Sequence, residues 1–309
     1  VTLVPFVTGA GELKTKPTQH SVKELRSLGI QPDILICRSA KPIPQDMCEK
    51  MAMFCDVDAD AVFQNLTARS IYEVPVLLEK QGLDEVVLRK LDVDATNHPL
   101  DMAEWHDMVE RMLKDYDRKV TLGVVGKYVE LQDSYISLTE ALRHAAMANE
   151  ANLDIKWINA ELVEEGEIDL EAELKDVDCI LVPGGFGSKG LEGKISAIKY
   201  ARENKVPFFG ICLGMQCAVV EYARHIGMTG ANTTEANAET AYPVIDILPD
   251  QQDVEEKGSM RLGLYPCKVA AGSLTEKAYG EALIYERHRN RYEVNNAYRE
   301  ELEKNGLVI

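Results

Sequence analysis

The chain has 309 residues, 46% of them apolar, with 34 Lys plus Arg against 51 Asp plus Glu and a net charge near −17. That is enough chain for two ordinary domains with a sizeable core. The acidic balance argues against a nucleic-acid or anionic-membrane partner, so any anionic ligand needs a local basic pocket.

The seven cysteines (Cys37, Cys48, Cys55, Cys179, Cys212, Cys217, Cys267) are odd in number and form no C-x-x-C pair. This pattern fits a reducing, cytoplasmic setting rather than a disulfide framework or a zinc site. No apolar run approaches the roughly 18 residues of a membrane span, and no signal peptide is visible. The chain opens on Val1 in "VTLVPFV", which reads as mid-strand, and closes on "GLVI", which reads as a strand just beginning; both ends look cut. From residue 1 to 96, short apolar runs alternate with amphipathic helices: "LVPFV", the loop "TGAGELKTKPTQ", a helix from Ser21 to Leu28, "DILICR", and a helix near Gln45 to Phe54. That βαβ rhythm indicates a parallel sheet. The stretch "YEVPVLLEKQGLDEVVLRKL" reads as one helix, and the polar, mixed-charge residues 94–119 as a mostly helical linker, assigned to 97–118. A second doubly wound unit, 119–309, then follows: the strand "VTLGVVGKY", the helix "SYISLTEALRHAAMANE", and the strands "LDIKWI", "VDCILVPGG" and "VPFFGIC". Residues 243–296 read as β-rich, and no internal repeat is found.

Within "FFGICLGMQ", Gly210 and Gly214 stand two residues either side of Cys212. That is the spacing of a nucleophile elbow, in which small residues permit a tight strand-to-helix turn. The amides and dipole at a helix N-terminus favour a thiolate there. A cysteine in an apolar strand is ordinarily just a small core residue, and this stretch alone leaves both readings open. The run "PGGFG", Pro183 to Gly187, also falls at a strand end, where ligands of open parallel sheets bind. Side-chain-free amides at Gly184 and Gly185 could approach the oxyanion of acyl transfer; a plain turn is the alternative. In "KTKPTQ", Lys14 and Lys16 flank a threonine ahead of a stiffening proline, an arrangement suited to a polyphosphate or, equally, to a solvated basic loop. Lys50, on a helix rich in Met and Cys, reads by itself as a surface lysine.

"VPGGFG" followed by "GICLGMQ" resembles the class I, cysteine-dependent glutamine amidotransferases. "GAGELKTKPTQHSVKELRSLGIQPDILICRS", "ERHRNRYEVNN" and "GSMRLGLYPC" resemble the CTP synthase family, and the likeness covers essentially the whole chain. The resemblance implies an α/β protein of two doubly wound, mostly parallel-sheet domains: part of a P-loop-like synthase domain, then a class I glutamine amidotransferase domain. It implies hydrolysis of L-glutamine in the second domain and transfer of the ammonia to the first. There ATP, with Mg2+, phosphorylates the uracil O4 of UTP and ammonia displaces the phosphate to give CTP, in pyrimidine biosynthesis. CTP is implied as feedback inhibitor, GTP as activator, and a homotetramer as the assembly.

Carried over by motif, Cys212 is the nucleophile, with the amides of Gly185 and Leu213 as oxyanion donors. Gly184, Gln216, Glu235 and Arg291 bind glutamine, its carboxylate suiting an arginine fork and its ammonium a carboxylate. The UTP and CTP site falls to Lys14, Thr15, Lys16, Gln19 and Lys50, with Phe54 near the base. The family's base, a histidine and glutamate from His-Pro-Glu, has no counterpart here. After Cys212 only His225 and His288 remain. His225 lies roughly 20 Å along the helix leading away from the elbow, and His288 stands between arginines in "ERHRNRYE". There is no G-x-x-x-x-G-K-[ST] either, and no metal ligand is assigned. The expectation is therefore a fragment of such an enzyme, inactive alone. A catalytically silent nucleotide-binding or assembly module and a stand-alone glutaminase subunit are the competing readings. Smaller departures are Asn290, where the family often has histidine, and Lys189, where arginine is common.

Overall fold

The computed structural model describes residues 1–94, 100–247 and 260–309. They form two compact units, Val1–Asp115 and Tyr116–Ile309. The architecture is mixed α/β with mostly parallel sheets.

In the first unit the opening apolar run is interrupted at Pro5, giving β1 (Thr2–Leu3) and β2 (Phe6–Val7), with β3 (Glu12–Leu13) antiparallel to β2. Helix α1 (Lys16–Ser27) starts before the expected Ser21 because Pro17 sits in its first turn, where φ is already helical and a missing N–H loses no intrahelical bond. β4 (Leu35–Ser39), α2 (Gln45–Cys55) and β5 (Val62–Leu66) complete a parallel sheet of order β1-β4-β5. On α2, Cys48, Met51 and Cys55 follow helical spacing and bury one face against Val4, Val22, Leu35 and Cys37. The single helix expected next is two, α3 (Glu73–Glu79) and α4 (Leu83–Lys90), broken at Gly82, whose φ of 78° only glycine adopts without strain.

Helix α5 (Ala103–Leu113) was expected as a linker; instead it packs on α3 as part of the first unit. Its Trp105 indole N–H donates to the Tyr72 carbonyl at 2.9 Å, and His106 Nε2 lies 2.8 Å from Glu79 Oε2. The boundary expected at residues 96 and 97 lies outside the described residues.

The second unit runs through β6 (Arg118–Gly126), α6 (Ile136–Ala148), β7 (Ala151–Asn159), α7 (Ala160–Glu164), α8 (Leu170–Leu174), β8 (Cys179–Val182), α9 (Leu191–Asn204), β9 (Phe208–Gly210) and α10 (Leu213–His225). Its sheet is wholly parallel with order β7-β6-β8-β9. Helices α9 and α10 bury one face through Ile195, Ile198, Val219 and Val220; Leu138 and Leu142 of α6 cover Leu122, Val124 and Leu181 on the other. Helices on both faces explain why β8 reads as a continuous apolar run. Beyond α10 come β10 (Asn232–Thr233), β11 (Pro243–Ile247), β12 (Arg261–Lys268), α11 (Leu274–Tyr279), β13 (Leu283–Asn290), β14 (Tyr292–Val294) and α12 (Asn296–Lys304). β12 and β13 form an antiparallel hairpin, whereas β14 joins a separate sheet of order β10-β11-β14. Among the described residues no helix is long and apolar enough to cross a membrane.

Candidate active site

Strands β8 and β9 lie side by side, so their carboxyl ends deliver "PGGFG" and Cys212 to one place. At the end of β9 the chain turns so sharply that the Ile211 N–H donates to Val182 O at 3.0 Å, and the Gly214 N–H back to Ile211 O at 2.8 Å. The turn is possible only with glycine at both flanks. A Cβ on Gly214 would stand 2.0 Å from Val182 O, and one on Gly210 2.6 Å from the Gly214 carbonyl carbon. Between them Cys212 takes φ 53° and ψ −109°, a region that costs a non-glycine residue about 1–3 kcal/mol. The strain leaves Cys212 exposed at the start of α10. Cys217, further along the same helix, faces the core, and burial pushes its thiol up to about 12.

The glycine loop closes over the elbow. A Cβ on Gly184 would come within 3.3 Å of Cys212 Cβ, and one on Gly185 within 3.5 Å of Leu213 Cδ2. Leu213 opens α10, in the turn whose amides have no intrahelical acceptor. The loop is held from outside: the Gly187 N–H donates to Glu235 Oε1 at 3.0 Å, and the Arg289 guanidinium lies 5.9 Å from the centre of the Phe186 ring.

Cys212, Gly185, Gln216, Glu235 and Arg291 line one cavity of about 160 Å³, together with Phe186, Met260, Arg289, Asn290 and Tyr292. Gln216 is 6% exposed, and its Nε2 donates to the Tyr292 carbonyl at 3.0 Å, leaving Oε1 to meet a ligand donor. Burial, then the Glu235 carboxylate, raise the Tyr292 phenol above its ordinary range. A small cavity lined by a nucleophile, a carboxylate and a guanidinium together suits an α-amino acid carrying an electrophilic side chain. Asn290 was noted only as a departure from the family pattern; Phe186, Met260, Arg289 and Tyr292, which the sequence did not single out, lie inside motifs already quoted, where membership of the motif was their only signal.

The comparisons with known proteins follow the same division. Residues 1–93 match the model of the CTP synthase N-terminus, and residues 130–309 that of the class-I glutamine amidotransferases. The chain is 56% identical over 311 aligned positions to a CTP synthase of Clostridium kluyveri, and 54% to those of Clostridium acetobutylicum and Moorella thermoacetica. The chain belongs to the class-I glutamine amidotransferase family, and its first part matches the CTP synthase N-terminus. In each of these alignments all of this chain is covered but only 57% of the CTP synthase relative, so it spans little more than half their length. The glutaminase domain of a Trypanosoma brucei CTP synthase, solved with bound acivicin, is 37% identical with a TM-score of 0.55, covering 62% of this chain and 74% of that one.

The residues expected at a nucleotide site lie in the part matching the CTP synthase N-terminus. Lys14 is ion-paired with Glu12. Thr15 is buried at the cap of α1, its Oγ1 accepting from Gln19 Nε2 at 3.2 Å, and Lys16 is exposed on the first turn. Lys50 and Phe54 are exposed on α2, the helix that packs against α1. A larger cavity of about 650 Å³ lies between α3 and α5, but it contains none of these residues, and its Arg69 is bound by Glu73 at 2.6 Å.

His225 ends α10, on the turn furthest from the elbow. His288 does not line the Cys212 cavity; its Nδ1 is 3.2 Å from Asn290 Oδ1 and its ring meets Tyr265 edge-on. Among the described residues no histidine lines that cavity, and no group of three or more His, Cys, Asp or Glu is placed to hold a metal ion.

Proposed function

We propose that the Tyr116–Ile309 unit is the glutaminase half of a glutamine-dependent CTP synthase, with Cys212 as nucleophile. The cavity that joins the strained, exposed Cys212 to Gly185, Gln216, Glu235 and Arg291 carries this reading. L-Glutamine fits with its carboxylate on Arg291, its ammonium toward Glu235 and Gln216 Oε1, and its carboxamide against Cys212 Sγ. Gly184, pressed on Cys212, lets the loop approach that carboxamide. The thiolate attacks the amide carbon, and the oxyanion forms toward the amides of Gly185 and Leu213, each worth on the order of 3 kcal/mol. The C–N bond breaks, ammonia leaves with a proton, and water hydrolyses the thioester to glutamate. With no histidine lining the cavity among the described residues, residues 1–309 alone are expected to turn over glutamine slowly, since loss of the base costs several orders of magnitude.

In the whole protein the ammonia replaces the activated O4 of UTP at the expense of ATP. Lys14, Thr15, Lys16, Gln19 and Lys50 hold UTP or inhibitory CTP, with Phe54 toward the base. GTP as activator, a homotetramer and a cytoplasmic setting complete the proposal and rest on the family alone. Mg2+ also belongs to the family's chemistry, but the described residues offer no cluster that fits a metal, and no step here uses one.

The test is Cys212→Ala in the complete polypeptide. Glutamate release from glutamine should fall by about a thousandfold or more, while CTP formation from added ammonia continues. Glutamine-driven CTP formation at the parent rate in that variant would overturn the proposal.

A further inference from the structure

The chain changes sheets within the wall of the cavity. Asn290 is the last residue of β13 and pairs with Arg261 of the hairpin, whereas Tyr292 opens β14 and pairs with Ile247 of β11. Arg291 is the single residue between them, so its direction depends on how that corner is held. Asn290 Nδ2 donates across the corner to the Tyr292 carbonyl at 3.1 Å. The same carbonyl accepts Gln216 Nε2 at 3.0 Å, which ties the corner to α10 one turn beyond Cys212. A carbonyl can only accept, so the Asn290 nitrogen must face it and its Oδ1 must face outward. Oδ1 lies 3.2 Å from His288 Nδ1, so that nitrogen carries hydrogen. Every polar atom of the Asn290 side chain is thereby used in fixing the corner.

We infer that Asn290 is a positioning residue: with Gln216 it clamps the Tyr292 carbonyl and so aims Arg291 at the carboxylate of the amino-acid substrate. The inference rests on the glutaminase reading above. An amide donor at the γ branch is what the clamp needs. Aspartate has the same shape but presents only acceptors, whereas histidine places an N–H, at Nδ1, the same number of bonds from Cα.

The experiment compares Asn290→Asp, Asn290→Leu and Asn290→His in the complete polypeptide, measuring KM and kcat for glutamine hydrolysis, with Cys212→Ala alongside. The Asp and Leu variants should raise KM for glutamine about 5- to 20-fold with kcat held within about threefold, as expected for one lost hydrogen bond acting on binding. The His variant should return KM to within about twofold of the parent. Unchanged KM in both Asp and Leu variants would overturn the inference, as would an equal fall of kcat in all three, His included. Failure of the underlying reading gives a different result: glutamine hydrolysis that survives Cys212→Ala.

Discussion

Gly214 shows how little freedom the nucleophile turn has. An added Cβ would meet Val182 O at 2.0 Å, and that oxygen also accepts the Ile211 N–H, so neither the strand nor the turn can move aside cheaply. Gly214→Ala should therefore destabilise the second unit by about 1–3 kcal/mol or more and displace Cys212, since overpacking against backbone has no side-chain escape. Chemical denaturation would show the lost stability. Iodoacetamide labelling of Cys212 would show the displaced thiol, with buried Cys217, held at about 12, as the silent reference. Labelling and stability equal to the parent would show that the backbone relaxes around the methyl. The G-x-C-x-G spacing was legible in the chain; the contact that makes Gly214 obligatory was not, because Val182 lies on another strand.

At the scale of elements, α9 and α10 are joined by a forked ion pair. Arg202 Nε lies 3.0 Å from each oxygen of Glu221 and its Nη2 2.8 Å from Oε1, with the Glu221 side chain 6% exposed. Since α10 carries the elbow at its start, this pair fixes a helix the site depends on. Arg202→Ala should cost about 3–5 kcal/mol because it leaves a buried carboxylate unpaired, whereas Arg202→Met with Glu221→Leu should recover most of that loss. Urea unfolding of the three proteins would test it; a loss below 1 kcal/mol for the single variant would mean water compensates Glu221. Elements were legible where one periodicity ran unbroken, as in β8 and α10. They were misread where a single residue decides: Pro17 sits in the first turn of α1 instead of preceding it, and Gly82 splits a helix whose apolar pattern runs through.

At the scale of the whole molecule, each unit has its own sheet and its own core, and the cavity around Cys212 is built entirely from residues of the second. Residues 116–309 expressed alone should therefore unfold in one cooperative transition and keep an alkylatable Cys212. Gradual, non-cooperative melting by circular dichroism would show that this core depends on the first unit. The sequence by itself determined the α/β class, the two-part organisation and the glycine-flanked cysteine, because strand and helix periodicities and the steric needs of glycine are local properties. It also carried Gln216, Glu235 and Arg291, but only as a resemblance, since nothing local distinguishes them from exposed polar residues. Tertiary structure decided that these residues share one cavity with Cys212, that α5 packs as part of the first unit, and that the Tyr292 carbonyl is clamped from two sides. Each of these depends on contacts between segments tens of residues apart, which chain folding brings together and no local spacing encodes.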